Sequence, residues 1–216
     1  MAKPTESTVR PARRTQAERR DESERGLVRA TIALVREEGV SAATFEAIGK
    51  KAGYSAGLVA QRFGSKRGLI EAVIGQLHDL REVPLSEIRI DEMSGLEALL
   101  IYHDIYLCDL WASRELKTYF MLLSSVVADS TSLVPLFVAE HERIRRRIAA
   151  FVEKGQAEGE IRADLDADTF AVSIGCLQLG IAIQLLIDPT LSLELMRRTT
   201  GATLRLSLVS QAQAES

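Results

Sequence analysis

Apolar residues recur at spacings of three and four along most of the chain, and this pattern predicts helices. In the first 80 residues it predicts four helices, at about 22–38, 45–51, 56–62 and 66–80. Five more are predicted near 94–112, 114–128, 132–157, 166–187 and 190–210. Because no segment carries a strand signal, we predict an all-α fold.

The order of these segments predicts two domains behind an N-terminal arm. Pro84 and the acidic pair Asp91 and Glu92 interrupt the helical pattern and mark the domain boundary. We therefore predict a basic flexible arm at 1–21, a first helical domain at 22–82 and a second helical domain at 83–216.

The second and third predicted helices have the features of a helix-turn-helix, at about residues 44 to 63. Thr44 and Ser55 are good N-caps, and Gly53 suits the sharp turn between the helices. Gly49 and Ala52 are small enough to let the helices cross closely. We expect an outward face of small or hydrogen-bonding groups suited to a major groove, formed by Ser55, Ala56, Gly57, Leu58, Gln61 and Arg62.

Charge is distributed unevenly along the chain. Residues 1–80 hold 14 Lys/Arg and 10 Asp/Glu, whereas residues 81–216 hold 13 and 20. A basic N-terminal third favours a polyanionic partner. The predicted arm carries Lys3, Arg10, Arg13, Arg14, Arg19 and Arg20. By composition alone, a solubilising tail is the alternative interpretation of the arm.

The helix-turn-helix segment resembles the tetracycline-repressor (TetR) family of bacterial regulators over about residues 22–75. The resemblance is carried by Ala30 to Gly39, Thr44, Ile48, Ala52, Gly53, Ser55, Gly57, Phe63, Ser65, Lys66 and Leu69. It implies an N-terminal DNA-binding domain, a C-terminal ligand-binding and dimerisation domain, and a homodimer on a palindromic DNA operator. Repression is the family default, and we expect a small apolar or aromatic effector in the second domain to lower operator affinity.

The resemblance also implies roles for individual residues. Thr44 and Lys66 would contact DNA phosphates. Bases or the adjoining backbone would be contacted by Ser55, Gly57, Leu58, Gln61 and Arg62. We place sequence specificity mainly on Gln61 and Arg62, the two long donors of that set. The chain departs from the family at Ala60 and Arg62, where a tyrosine is usual. The alternative is a helical unit that only packs on the second domain.

The last two helices, within residues 166–210, are the predicted dimer interface. Residues 169–187 carry no charge, and the resemblance implies a four-helix bundle to which Leu193, Met196, Leu204 and Leu208 contribute. That length would also permit a membrane span. The nearby aspartates and internal glutamines favour a protein interface over a membrane, so we expect no membrane partner and a cytoplasmic, nucleoid-associated protein.

Aromatic residues concentrate in the middle of the chain and indicate a ligand pocket in the second domain. The candidates are Tyr102, His103, Tyr106, Trp111, Tyr119, Phe120 and Phe137. For each of them a place in the ordinary core is the alternative. The basic run 143–147 is interpreted as a solvated helix face, salt-bridged to Glu140 and Glu142.

Other chemistry is not expected from the sequence. His78, His103 and His141 lack a metal-ligand spacing, so we predict neither a metal nor a cofactor. Cys108 and Cys176 are expected to be buried, reduced thiols. An enzyme that uses His103 with either cysteine is a weaker hypothesis, because no nucleophile, base and orienting group can be identified together. No secretory signal is expected at the N-terminus.

Overall fold

The computed structural model describes residues 15–112, 114–129 and 132–209, and describes their side chains except at 81, 109–112 and 114–116. Its first four α-helices are α1 (Gln16–Glu38), α2 (Phe45–Ala52), α3 (Ala56–Phe63) and α4 (Lys66–Glu87). The other five are α5 (Gly95–Ala112), α6 (Arg114–Asp129), α7 (Val134–Ala157), α8 (Ala167–Ile187) and α9 (Leu193–Leu208). Short 3₁₀ helices occur at Val40–Ala42 and Ile90–Glu92. The predicted all-α fold class is confirmed.

Side-chain caps fix the starts of the helices in the first domain. The hydroxyls of Thr44, Ser55 and Ser65 each accept a hydrogen bond from the backbone N–H three residues later, at 3.2, 3.2 and 3.1 Å. Each hydroxyl satisfies a donor that would otherwise lack a helical partner. The predicted caps of α2 and α3 are therefore confirmed.

Two predicted boundaries differ from the structure. Helix α1 begins at Gln16 rather than near 22, because Thr15 and Glu18 form a reciprocal capping box. Residues 16–21 of the predicted arm are therefore helical, and residues 1–14 lie outside the described residues. Helix α4 continues through Pro84 to Glu87, so the predicted boundary at 82 falls within a helix. Pro84 lies in the last turn of α4, and because it has no N–H, the helix lacks one hydrogen bond there.

The core of the first domain continues into the second without a break. Leu27 of α1, Ile48 of α2 and Val59 of α3 are fully buried, as is Leu69 of α4. The same cluster of buried side chains includes residues of α6, α7 and α8, namely Tyr119, Phe120, Leu122, Val126, Phe137 and Ala182. Helix α6 packs against both α1 and α4. A movement of α6 or α7 is therefore felt by the helices that position the helix-turn-helix.

Helix α5 lies at the centre of the second domain, as its apolar sequence predicts. It packs against α6, α7, α8 and α9. At its first residue a side chain on Gly95 would overlap the backbone of Gly155 in α7, so glycine permits the close helix crossing. Arg197 of α9 binds both carboxylate oxygens of Asp104 in α5, at 2.7 and 2.6 Å. This bidentate pair fixes α9 against the centre of the domain.

Candidate DNA-binding surface and ligand cavity

The turn between α2 and α3 brings the two helices into close contact. Gly53 adopts the left-handed conformation, with φ 76°, that ends α2. Two residues later, Ser55 starts α3. An added Cβ on Gly49 would lie 2.8 Å from the carbonyl oxygen of Tyr54. Gly49 therefore lets the turn backbone approach α2.

Most of the predicted DNA contacts lie on an open surface. Five of the seven residues are exposed, namely Thr44, Ser55, Gly57, Gln61 and Lys66. Leu58 and Arg62 are half-buried. In α3 the buried Val59 lies on the opposite side from Gly57 and Gln61. The outer face of α3 is consequently free to enter a DNA groove.

Gln61 and Arg62 are not equivalent in the structure. Gln61 lies on the outer face beside Ala60, which is also exposed. Arg62 lies on the flank of α3, and its Nε is buried without a hydrogen-bond partner. Only a part of the Arg62 side chain is exposed, so Gln61 is the more accessible of the two proposed base-reading side chains.

Basic side chains surround this face. Lys50 and Lys51 follow each other at the end of α2, and Lys51 pairs with Glu37 at 2.7 Å. That contact lowers the pKa of the Glu37 carboxyl, first through the hydrogen bond and then through the charge of Lys51. At the start of α4, Lys66 Nζ lies 3.5 Å from the Val40 carbonyl. Lys66 thus lies beside the segment that joins α1 to α2, and its side chain is exposed.

A cavity of about 700 Å³ lies among α5, α6, α7 and α8. Four of the seven predicted pocket residues line it: Tyr106, Tyr119, Phe120 and Phe137. The rings are in contact with one another, since the Tyr119 centroid lies 5.6 Å from that of Phe120 and 5.4 Å from that of Phe137. The volume and the aromatic wall are typical of sites for small organic molecules.

Of the remaining three predicted pocket residues, Tyr102 and His103 do not line this cavity. Tyr102 lines a separate space of about 120 Å³ near His78 and Arg147. His103 is 1% exposed, and its Nε2 lies 2.8 Å from the Thr200 hydroxyl, so it is a core histidine. The side chain of Trp111 lies outside the described residues.

Most residues of the cavity wall were not predicted from the sequence. The wall includes a polar strip on α7, formed by His141, Glu142, Arg145 and Arg146. The predicted salt bridges of the basic run exist, since Glu142 binds Arg145 and Arg146 at 2.7 Å. These hydrogen bonds, from Arg145 first, lower the pKa of Glu142 to about 2. The spacing of Glu142 and Arg146, four residues apart, could have identified this strip.

Gln178 of α8 was also missed as a wall residue. It lies within the 19-residue uncharged stretch that the sequence assigned to an interface. A glutamine inside an apolar helix is itself a signal, because a buried amide needs partners. Here the side chain is 2% exposed, and its Nε2 has no hydrogen-bond partner.

Helices α8 and α9 each present an outward stripe without acidic or basic groups. On α8 the stripe is Thr169, Ser173, Cys176, Gly180, Gln184 and Ile187, and on α9 it is Leu195, Thr199, Ala202 and Leu206. Ile187 and Leu206 are 72% and 71% exposed in the single chain. By length and composition α8 could also cross a membrane, with a mean hydropathy of 2.1 and 28% of the tested segment buried.

Several predictions for these helices are wrong for the single chain. Leu204 and Leu208, expected to contribute to the dimer, are buried in the chain's own core. Leu193 and Met196 are half-buried against the chain itself. Cys176, expected to be buried, is exposed, and Cys108 is half-buried. Both faces of α9 are apolar, so spacing alone could not separate the inward face from the outward one.

Metal-ligating side chains are dispersed. In the parts of the chain that the structure describes, no group of three or more His, Cys, Asp or Glu side chains could hold a metal ion.

Two families of known sequences match this chain, one in each half. Residues 27–73 match the family described as bacterial regulatory proteins, tetR family, and residues 108–209 match the BetI-type transcriptional repressor, C-terminal. The chain is 43% identical over 75 residues to the HTH-type transcriptional regulator BetI of Stenotrophomonas maltophilia, covering 34% of the chain and 33% of that protein. BetI of Cronobacter sakazakii is 32% identical over 78 residues, covering 36% and 39%. These matches therefore span about a third of the length of the curated relatives.

Comparison with solved structures matches nearly the whole fold. A structure assigned to the TetR family from Rhodococcus sp. superposes with a TM-score of 0.77 at 21% identity, covering 87% of this chain and 99% of that one. A transcriptional regulator from Saccharomonospora viridis, solved with choline, gives a TM-score of 0.74 at 19% identity, covering 88% and 100%. A complex of SmeT with triclosan gives 0.73 at 22% identity, covering 88% and 93%.

Proposed function

Since the chain belongs to the TetR family of bacterial regulatory proteins, we propose that it is a homodimeric repressor that leaves a palindromic operator when a small molecule binds. This family consists of transcriptional regulators rather than enzymes. The proposal places the protein in the bacterial cytoplasm, at the nucleoid, with double-stranded DNA and an apolar or aromatic effector as its partners.

The observation that carries the proposal is the exposed outer face of α3 on a domain whose core includes the cavity wall. Gln61 is open to solvent, and Lys66 flanks it at the start of α4. Phe120 and Phe137 belong both to the cavity wall and to the core cluster that contains Ile48 and Val59. One set of side chains therefore borders the effector space and supports the DNA-binding helices.

The DNA contacts divide into two kinds in this proposal. Thr44 and Lys66 bind phosphates and position α3. Bases and the adjoining backbone are contacted by Ser55, Gly57, Leu58, Gln61 and Arg62. A groove can admit α3 closely because Gly57 and Ala60 place no long side chain on its outer face. Gln61, at the centre of that face, supplies a bidentate amide suited to adenine.

Repression and release follow from the coupled core. An effector in the cavity contacts Phe120 and Phe137, and it shifts α6 and α7 against α1 and α4. The spacing of the two recognition helices in the dimer changes with them. For this to lower operator affinity about tenfold, the effector must favour the released state by about 1.4 kcal/mol. The relatives solved with choline and with triclosan support the use of this fold for small-molecule response.

The test is binding to the DNA that flanks the protein's own gene, measured by fluorescence anisotropy. We expect saturable binding to a palindromic segment, with an affinity that falls steeply as salt is raised. A duplex of the same composition in scrambled order is the control. Absence of saturable, salt-dependent binding to any palindrome would refute the proposed function.

A further inference from the structure

The wall of the 700 Å³ cavity is apolar over most of its surface. Aromatic rings from α5, α6 and α7 form one side, and valines of α6, α7 and α8 lie toward the opening, where Val127 and Val138 are 73% and 61% exposed. Such a wall selects a ligand with an apolar body. The polar groups in the wall must then decide which functional group that body carries.

The charged groups of the wall already bind one another. Glu142 is the acidic residue among the described lining residues, and it accepts hydrogen bonds from Arg145 and Arg146 at 2.7 Å. Arg145 also binds Asp168. Because the carboxylate of Glu142 is occupied by two guanidinium groups, it offers no uncompensated negative charge to a cationic ligand.

Gln178 is a polar group of the wall that still requires a partner. Its side chain is 2% exposed, so solvent cannot satisfy the amide, and Nε2 has no hydrogen-bond partner in the protein. Leaving a buried donor unpaired costs free energy. A ligand oxygen that accepts from Nε2 would recover that cost, whereas a hydrocarbon or a quaternary ammonium group could not.

From these contacts we propose that the cavity binds an apolar molecule that lacks a cationic group and carries a carbonyl-type acceptor oxygen, which accepts a hydrogen bond from Gln178. This inference rests on the proposed function and specifies the chemistry of its effector. The rings bind the apolar body, and the Gln178 amide selects the acceptor. A quaternary ammonium of the same shape gains contact with the rings but leaves Gln178 unpaired.

Three probes of matched shape separate these contributions: benzylacetone, which carries a ketone, phenethyltrimethylammonium, which carries a cation, and neohexylbenzene, its hydrocarbon analogue. Dissociation constants come from ligand-observed NMR titrations of the full chain. We expect benzylacetone to bind about tenfold more tightly than phenethyltrimethylammonium, the effect of one well-formed hydrogen bond, while neohexylbenzene measures the apolar contact alone. Equal or tighter binding of the ammonium, or no binding of any probe, would overturn the proposal.

Variants assign the preference to the amide. Gln178→Leu should raise the dissociation constant of benzylacetone about tenfold and leave that of neohexylbenzene unchanged. Retained binding of neohexylbenzene also shows that the cavity has folded. Gln178→Met serves the same purpose if the leucine variant fails to fold. Gln76→Leu, on α4 and outside the cavity wall and both outward stripes, is the matched control and should change no affinity. An equal loss for all three probes in Gln178→Leu would contradict the assignment.

Operator binding by the ligand-free protein is measured on the same samples. If the operator binds and the probes do not rank as expected, the ligand class is wrong while the regulator stands. If the unmodified protein binds no operator, the proposed function itself fails, whatever the probes show.

Discussion

Arg67 Nη1 donates a 2.8 Å hydrogen bond to the carbonyl oxygen of Ser132, and so joins the start of α4 to the segment that leads into α7. Arg67 follows Lys66, the proposed phosphate contact. Two residues after Ser132, Val134 lines the cavity. The charge-assisted bond therefore links the neighbour of the proposed phosphate contact to a segment that reaches the cavity wall two residues later.

Removing this bond should loosen the start of α7. In Arg67→Ala we expect faster amide hydrogen exchange at residues 134–138, because the Ser132 carbonyl loses its donor, and a decrease of about 1 kcal/mol in the free energy of unfolding. Exchange in α2 and α3 should not change. Lys66→Ala is the control and should leave exchange at 134–138 unaltered. Unchanged exchange in Arg67→Ala would show that the bond does not order this segment.

The close approach at the turn makes Gly49 intolerant of a side chain. Gly49→Ala should lower the free energy of unfolding by about 1–3 kcal/mol, because its Cβ would meet the carbonyl oxygen of Tyr54 at 2.8 Å. Gly75→Ala in α4 is the matched control, since no atom outside its own helix lies within 4 Å of the added Cβ. There alanine should stabilise by about 0.5–1 kcal/mol. Urea unfolding measures both, and stabilisation in both variants would contradict the tight turn.

The two kinds of proposed DNA contact should separate by mutation. Gln61→Ala should reduce the free energy of binding to the operator by about 1–3 kcal/mol and change binding to scrambled DNA little, because it removes a base-edge contact. Lys66→Ala should weaken both duplexes alike and reduce the salt dependence, because it removes a phosphate contact. If Arg62 also contacts a base, Arg62→Ala should show the same pattern as Gln61→Ala, with a loss of affinity on the operator and little change on scrambled DNA. Anisotropy titrations decide this, and equal losses on scrambled DNA for all three variants would refute the division.

His103 should make stability depend on pH. The Thr200 hydroxyl donates to the Met196 carbonyl at 2.7 Å, so it accepts from His103 Nε2–H, and Nδ1 has no partner. Burial lowers the pKa of His103 below 6.5, against a smaller opposing influence of Asp104. Below about pH 6.5 the unfolded chain therefore binds a proton that the folded chain excludes. The free energy of unfolding consequently decreases as the pH is lowered.

Two variants test this origin of the pH dependence. His103→Gln keeps a donor for Thr200 but cannot be protonated, so the fall in unfolding free energy between about pH 7.5 and 5.5 should become smaller. Thr200→Val should lower the free energy of unfolding by about 1–3 kcal/mol at both pH values, because it leaves the histidine N–H unpaired. The pH dependence should remain. Urea unfolding at the two pH values measures these effects. An unaltered slope in His103→Gln would assign the pH dependence to other groups.

Local features of this fold could be predicted from the sequence. The caps at Thr44 and Ser55 and the left-handed turn at Gly53 depend on residues that are neighbours in the chain. The early start of α1 was predictable too, because Thr15 and Glu18 have the spacing of a capping box. The polar composition of residues 16–21 concealed it, since hydrophobic periodicity does not detect a solvated helical turn.

The wall of the cavity could not be predicted because it depends on packing between distant segments. Tyr102 and Tyr106 are one turn apart on α5, yet they line two different cavities. Which cavity each ring reaches is set by α7, about 40 residues later in the chain. For the same reason the glutamine inside apolar α8 could be recognised as unusual, but the sequence could not show that it lies in one wall with the aromatic rings.

The outward stripe of α9 leads to the last prediction, which concerns the dimer. Leu195 and Leu206 are 61% and 71% exposed, although the chain buries Leu204 and Leu208 of the same helix. Apolar side chains left in water on two adjacent helices favour a second copy as their cover. Leu206→Glu would bring two carboxylates into that interface, so we expect the dimer dissociation constant to rise at least about a hundredfold.

Light scattering after size exclusion gives the mass directly. The wild-type chain of 23.8 kDa should elute as a dimer and Leu206→Glu as a monomer. The control is Leu80→Glu, because Leu80 is 52% exposed on α4, away from both stripes, and this variant should remain dimeric. Operator affinity should fall in Leu206→Glu, since a single helix-turn-helix contacts only one half-site. If Leu206→Glu stays dimeric while Leu80→Glu dissociates, the two copies meet through α4, and the stripes of α8 and α9 must serve another purpose.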